Sequence, residues 1–141
     1  LDKDGMKKVA SIKIVDKSFP AEWLNVDEKH VTLVAKDLAR VKKEQEFLNS
    51  VYAKKNYQAY FSKAFIKPLD SLVTSIYGSK RIFNKEKQTQ HLGTDFRAAV
   101  GEPVKAANGG RIVVARDLFF TGNTITIDHG LGIFTIYGHL S

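Results

Sequence analysis

The stretch GNTITIDHGLGIFTIYGHLS, residues 122–141, narrows the fold more than any other part of this 141-residue chain. Thr124, Thr126 and Asp128 alternate with Ile125 and Ile127, the period of two expected of a strand with one face turned inward. HGLG then supplies glycines able to take positive φ, and IFTIYGH alternates again. The pattern predicts an antiparallel β-hairpin. Upstream, Asn108-Gly109-Gly110 marks a turn ahead of a predicted strand near 111–116, and LVTSIYG (72–78) reads as a strand ending in a turn. RIFNKEKQTQ (81–90) is polar and reads as irregular.

The N-terminal half has a different texture. Residues 1–35 read as a small β-rich module, because VASIKIV (9–15) and KHVTLVA (29–35) both alternate. KSFPAEWLN between them carries the single Trp. Residues 36–64 read as a helical connecting arm. Its 36–61 stretch has no Gly or Pro, and Leu38, Val41, Leu48, Val51 and Tyr52 recur at roughly helical spacing among lysines and glutamates. Asp37 is the expected N-cap, since its carboxylate can accept an orphan N–H of the first turn. Residues 65–141 form the third section. The fold expected is mainly β, α+β overall, with an antiparallel β-sheet domain preceded by a small β module and an amphipathic helix.

Composition sets limits on function. At 43% apolar and 26% charged residues the chain reads as soluble and globular. Cysteine is absent, which excludes disulfides and cysteine-based zinc sites. No run approaches the roughly 18 apolar residues of a membrane span. LDKDGMKK at the start lacks the apolar core of a signal peptide and begins with Leu, so any export signal is expected to be gone already. The net charge of +7 suits either a polyanionic partner or a solvated, lysine-rich surface. The lysines are scattered, with no stacked aromatics or recognition helix, so nucleic acid is not an expected partner.

The chemistry centres on QHLGTDFRAA, residues 90–99. His91 and Asp95 are both good zinc ligands. On a helix their spacing would put them on one face. Gly93 and the β-branched Thr94 argue instead for a strand edge or loop, where the chain must curve to bring the two together. Alone, H-x-G-x-D is a weak signal that a surface histidine and a turn aspartate also satisfy.

The surrounding text strengthens it. SIYGSKRIFN, then HLGTDFRAAVGEPVKAANGGRIVVA, then GNTITIDHGLGIFTIYGHLS, taken in order, resemble the LytM/lysostaphin-type zinc peptidoglycan endopeptidases over about residues 65–141. The resemblance implies a LytM-like β-sheet or half-barrel. It makes His91 and Asp95 the first two zinc ligands, and makes His139, in YGHLS, an active-site histidine that is not a ligand. Imidazole can exchange protons at neutral pH, as that role needs. Arg81 and Asn84 match a stretch that either lines the substrate groove or fixes the loop before His91.

One departure stands out. The family's third ligand is the second His of a later H-x-H motif, and no H-x-H occurs in these residues. The peptidase domain is therefore expected to be C-terminally incomplete, and the chain alone inactive. His129 matches a structural family position, and His30 reads as a surface or satisfied histidine. Tyr137 is expected in the core, and Phe119 and Phe120 as partly buried loop anchors.

The function implied is zinc-dependent cleavage of peptidoglycan cross-links, with D-Ala–diaminopimelate favoured over polyglycine, in the periplasm or cell envelope. The alternative is a non-catalytic LytM-like module that binds and activates another wall hydrolase. The resemblance also implies inhibitory packing of the N-terminal residues over the groove.

Overall fold

The computed structural model describes residues 9, 11–25, 34–54, 56–85 and 87–141. Among these residues eight strands and one helix follow in the order β1 (Ala21–Leu24), α1 (Ala35–Tyr52), β2 (Val73–Ser75), β3 (Lys80–Phe83), β4 (Lys87–Gln90), β5 (Asp95–Phe96), β6 (Arg111–Leu118), β7 (Gly122–Asp128) and β8 (Phe134–Leu140). They build three small sheets, ordered β1-β3-β4, β2-β5 and β6-β7-β8. The molecule is mainly β, as its alternation predicts.

The C-terminal meander is the best-determined part by pattern. Ile112 opposes Ile127 and Ala115 opposes Ile125 across β6 and β7, while Ile127 opposes Thr135 across β7 and β8. Val114, Leu118 and Ile127 are buried, with Ala107 and Val51 beside them in the core. The chain between helix and β2 lies against this sheet as a strap. Tyr60 N–H donates to the His129 carbonyl (2.8 Å), Ile66 N–H to Ala107 (2.9 Å), and Lys105 N–H returns to Pro68 (3.0 Å).

That strap corrects the expected helix. α1 stops at Tyr52, nine residues before the end of the Gly- and Pro-free stretch. Beyond it, backbone groups of Asn56, Tyr60 and Ile66 pair with Leu131, His129 and Ala107 in the loops that border the sheet, so tertiary pairing overrides local propensity. The start is corrected too. Val34 occupies the N-cap position without a side-chain cap bond, and Asp37 sits inside the first turn, where a carboxylate favours the positive end of the helix dipole. The helix is more than an arm. Arg40 bonds Asp117 (2.7 Å), Glu44 accepts from Phe119 N–H (2.8 Å), Arg116 lies over the Phe47 ring (4.0 Å), and Tyr52 meets Phe134 edge-on.

Two strand expectations also change. Residues 11–15 form no strand, and Ile12 and Ile14 are exposed. The N-terminal strand is instead β1, within the segment read as a connection. It pairs in parallel with β3, so this sheet draws on residues from both sides of the helix. Most of KHVTLVA, with His30, lies outside the described residues. RIFNKEKQTQ, read as irregular, supplies β3 and β4, which pair antiparallel around a turn where Asn84 (φ 50) and Lys85 (φ 64) are left-handed. Backbone pairing to β1 on one side and β4 on the other makes β3 a strand without an apolar period.

Candidate active site and metal centre

β2, the Tyr77-Gly78 turn and β5 bring the site together. Ser75 opposes Asp95 across the β2–β5 pair, so H-x-G-x-D ends beside the strand that precedes the turn. His91 is fixed at the backbone from both sides, its N–H donating to Ser79 (2.8 Å) and its carbonyl accepting from Gly78 N–H (2.8 Å). Gly78 has φ 92, and a Cβ there would lie 2.2 Å from the Phe19 ring, so only glycine lets the turn close.

With the backbone so held, the side chains converge. His91 Nε2 lies 3.2 Å from Asp95 Oδ1. The other ring nitrogen, Nδ1, lies 2.9 Å from Ser75 Oγ and 3.2 Å from the Ile76 carbonyl. Arg81 donates to Asp95 Oδ2 (2.5 Å) and, through Nε, to Glu22 Oε2 (3.3 Å). Ser75 Oγ donates to Glu22 Oε1 (2.7 Å). The Ser75 hydroxyl, with the Arg81 guanidinium behind it, holds the Glu22 carboxyl below its usual range. The His91 side chain is 10% exposed and that of Asp95 44%, so the pair opens to solvent on the aspartate side.

The donor set fits zinc as far as it goes. Ligand atoms about 2.0–2.1 Å from a tetrahedral ion are roughly 3.3–3.4 Å apart, close to the observed Nε2–Oδ1 separation. The other ring nitrogen is held by neighbours, as metal-bound histidines generally require. Among the described residues no cluster of three or more metal-binding side chains occurs.

His139 is brought to a different feature. It lines a recess of about 560 Å³ with Ala98, Val100, Glu102, Leu140 and Ser141. The recess begins at Ala98, three residues past Asp95. His139 sits in a β-bulge: Asn123 opposes Leu140 and Ile125 opposes Tyr137, so Gly138 and His139 together face Thr124. Its φ is 58, and its N–H donates to the Thr121 carbonyl (2.6 Å).

The remaining candidates are placed as follows. Arg81 faces Asp95 and Glu22, and Asn84 sits in the left-handed turn after β3, its N–H on the Leu24 carbonyl (3.0 Å). His129 is fully buried, with Nδ1 on the Gly109 carbonyl (2.6 Å) and Nε2 on Thr135 Oγ1 (2.8 Å). Tyr137 is half-buried, its hydroxyl accepting from Ala107 N–H (2.7 Å). Phe119 is half-buried, stacked edge-on against Phe120, which is 62% exposed. Two members of the site escaped the sequence reading. Ser75 lies inside SIYGSKR, a stretch that did carry a signal, whereas Glu22 comes from 59 residues before Arg81 and had none.

Similarities to known proteins bear on this arrangement. Residues 89–141 match the model for Peptidase family M23. The chain is 35% identical over 77 residues to the peptidoglycan DD-endopeptidase ShyA of Vibrio cholerae, covering 52% of this chain and 18% of that protein. It is 38% identical over 50 residues to the peptidoglycan DD-endopeptidase ShyB of the same organism, covering 36% of this chain and 12% of that protein. The chain thus spans less than a fifth of the length of these curated relatives. A crystal structure from Pseudomonas aeruginosa assigned to peptidase M23 superposes with a TM-score of 0.61 at 26% identity, over 77% of this chain and 42% of that one.

Proposed function

We propose, for a chain that belongs through its C-terminal part to the LytM-type M23 peptidase family, a role in zinc-dependent endopeptidase cleavage of peptidoglycan cross-links. The observation that carries this reading is the approach of His91 Nε2 to Asp95 Oδ1 at 3.2 Å. His91 and Asp95 would hold the ion, with a third ligand from outside these residues, and the 141-residue chain by itself is expected to be inactive. A bound zinc supplies Lewis-acid polarisation of the scissile carbonyl and a lowered pKa for a coordinated water. Arg81, bonded to Asp95 Oδ2, aims the opposite oxygen towards His91. His139, exposed on its bulge, would accept the proton of the attacking water at a ring nitrogen and return it to the leaving amine. Asn84, and Arg81 when released from Glu22, would meet the peptide stem, where a guanidinium can grip a carboxylate with two hydrogen bonds.

The relatives are named as DD-endopeptidases of peptidoglycan, which supports a D,D-bond as substrate and the cell envelope, reached by export, as the place of action; D-Ala–diaminopimelate is the bond this reading assigns. Among the described residues no helix is long and apolar enough to cross a membrane. The N-terminal strand bears on regulation: Glu22 reaches Ser75 and Arg81 next to the candidate ligands, consistent with inhibitory packing of residues 1–64.

The second reading, a non-catalytic module that activates another wall hydrolase, is favoured by the Arg81–Asp95 pair, which neutralises one ligand without a metal. Metal analysis and digestion of purified peptidoglycan separate the two, using this chain and any longer natural form of the protein. Stoichiometric zinc and new muropeptide ends, both lost in His91→Ala and Asp95→Ala, support the enzyme. Stimulation of a second hydrolase that survives both substitutions supports the module.

A further inference from the structure

We propose that Ser75 is a positioning residue for His91, fixing the imidazole as its Nδ1–H tautomer through a hydrogen-bond chain that ends on Glu22. The inference rests on the reading of His91 as a ligand through Nε2. The argument is one of donors and acceptors. The Ile76 carbonyl, 3.2 Å from Nδ1, can only accept. An ionised Glu22 carboxylate can only accept, so the Ser75 hydroxyl proton points at Oε1, 2.7 Å away. Ser75 Oγ is left with lone pairs, and these face Nδ1 at 2.9 Å and the Arg81 guanidinium at 3.4 Å. Both neighbours of Nδ1 therefore demand a proton on that atom.

The consequence falls on the other nitrogen. In a neutral ring protonated at Nδ1, Nε2 carries a lone pair, and that lone pair faces Asp95 Oδ1 at 3.2 Å. Two electron-rich atoms at this separation repel unless a cation lies between them. Without Ser75 only the longer contact to the Ile76 carbonyl favours Nδ1–H, and the balance moves towards the Nε2–H form, which donates directly to Asp95 and closes the pair upon itself. Ser75 is buried at 8% exposure, so water cannot readily replace its hydroxyl. The serine thus separates two states of one histidine: a metal-accepting one and a self-satisfied one.

Ring nitrogens of ¹⁵N-labelled, metal-free protein give the test, through long-range ¹H–¹⁵N spectra. His129, with Nδ1 on the Gly109 carbonyl, serves as an internal reference. Wild type and Ser75→Thr are expected to show Nδ1 protonated and Nε2 bare in His91. Ser75→Ala is expected to shift His91 towards the Nε2–H form. It should also raise the apparent dissociation constant for Zn²⁺, titrated against the His91 resonances, by about tenfold. If Ser75→Ala does not fold, Glu22→Ala takes its place, with a shift in the same direction expected because the hydroxyl loses the acceptor that orients it.

An unchanged tautomer in the folded variant overturns the assignment, as does a wild-type His91 protonated at Nε2. A loss of Zn²⁺ affinity without a tautomer change overturns it as well. If the tautomer responds as stated but no form of the protein takes up Zn²⁺, Ser75 keeps its role and the metallopeptidase reading falls.

Discussion

Gly93 lies between the two candidate ligands, and its value there is space. A Cβ at this position would sit 3.5 Å from His91 Nε2, an ordinary contact that strains nothing but occupies the ground beside the ligand atom. Its φ is outside the left-handed region, so alanine suits the backbone. Gly93→Ala is expected to keep the melting temperature within a few degrees while weakening Zn²⁺ binding about tenfold, read by calorimetric titration alongside a thermal melt. His139 makes the opposite case, a side chain held at a conformational cost. A non-glycine residue at φ 58 gives up about 1–2 kcal/mol relative to ordinary backbone. His139→Gly should leave stability equal or raised by up to about 1 kcal/mol in urea, while peptidoglycan cleavage by an active form falls about 10²-fold or more. A histidine needed only for packing would show the reverse. His91, Asp95 and His139 could be singled out as candidates because the residues around them keep a fixed order; the structure brings His91 and Asp95 within 3.2 Å and sets His139 in the neighbouring recess. Ser75 was legible only as part of a turn, since its role depends on which atoms face its oxygen.

At the scale of elements, the β6–β8 meander was readable because each strand alternates and its turns carry glycine or asparagine. The β3–β4 hairpin was not. KRIF and KQTQ have no apolar face, and their pairing is set by β1. The end of α1 was hidden for a related reason, because the partners that draw residues 56–66 out of helix lie some seventy residues on, at His129 and Leu131. The meander also contains an imperfection. Thr126 is fully buried in β7, and its hydroxyl has no hydrogen-bond partner among the described residues. Burying an unpaired hydroxyl is unfavourable, and valine has nearly the same shape. Thr126→Val is expected to stabilise the protein by about 1 kcal/mol, measured by chemical denaturation. A destabilisation of that size would mean that the hydroxyl has a partner.

Across the whole molecule, the charge of +7 is spread widely over the lysines and arginines. An attraction built from dispersed charges is screened by salt, with a Debye length of about 10 Å at 0.1 M. Co-sedimentation with purified sacculi is therefore expected to fall severalfold as salt rises from about 0.05 to 0.5 M. Binding indifferent to salt would assign recognition to the groove and leave the surface charge to solubility.

The parallel pairing of β1 on β3 has a consequence for how the amino-terminal strand can be seated. Glu22 is the direct cross-strand neighbour of Arg81, flanked by Ala21 against Lys80 and Trp23 against Ile82. Side chains on a strand alternate between faces, so a slip by one position would turn the glutamate away and leave the arginine opposite an alanine or a tryptophan. A slip of one position therefore breaks the Glu22–Arg81 pair completely. The acid is delivered whole or withheld altogether, like a key whose teeth engage at only one depth.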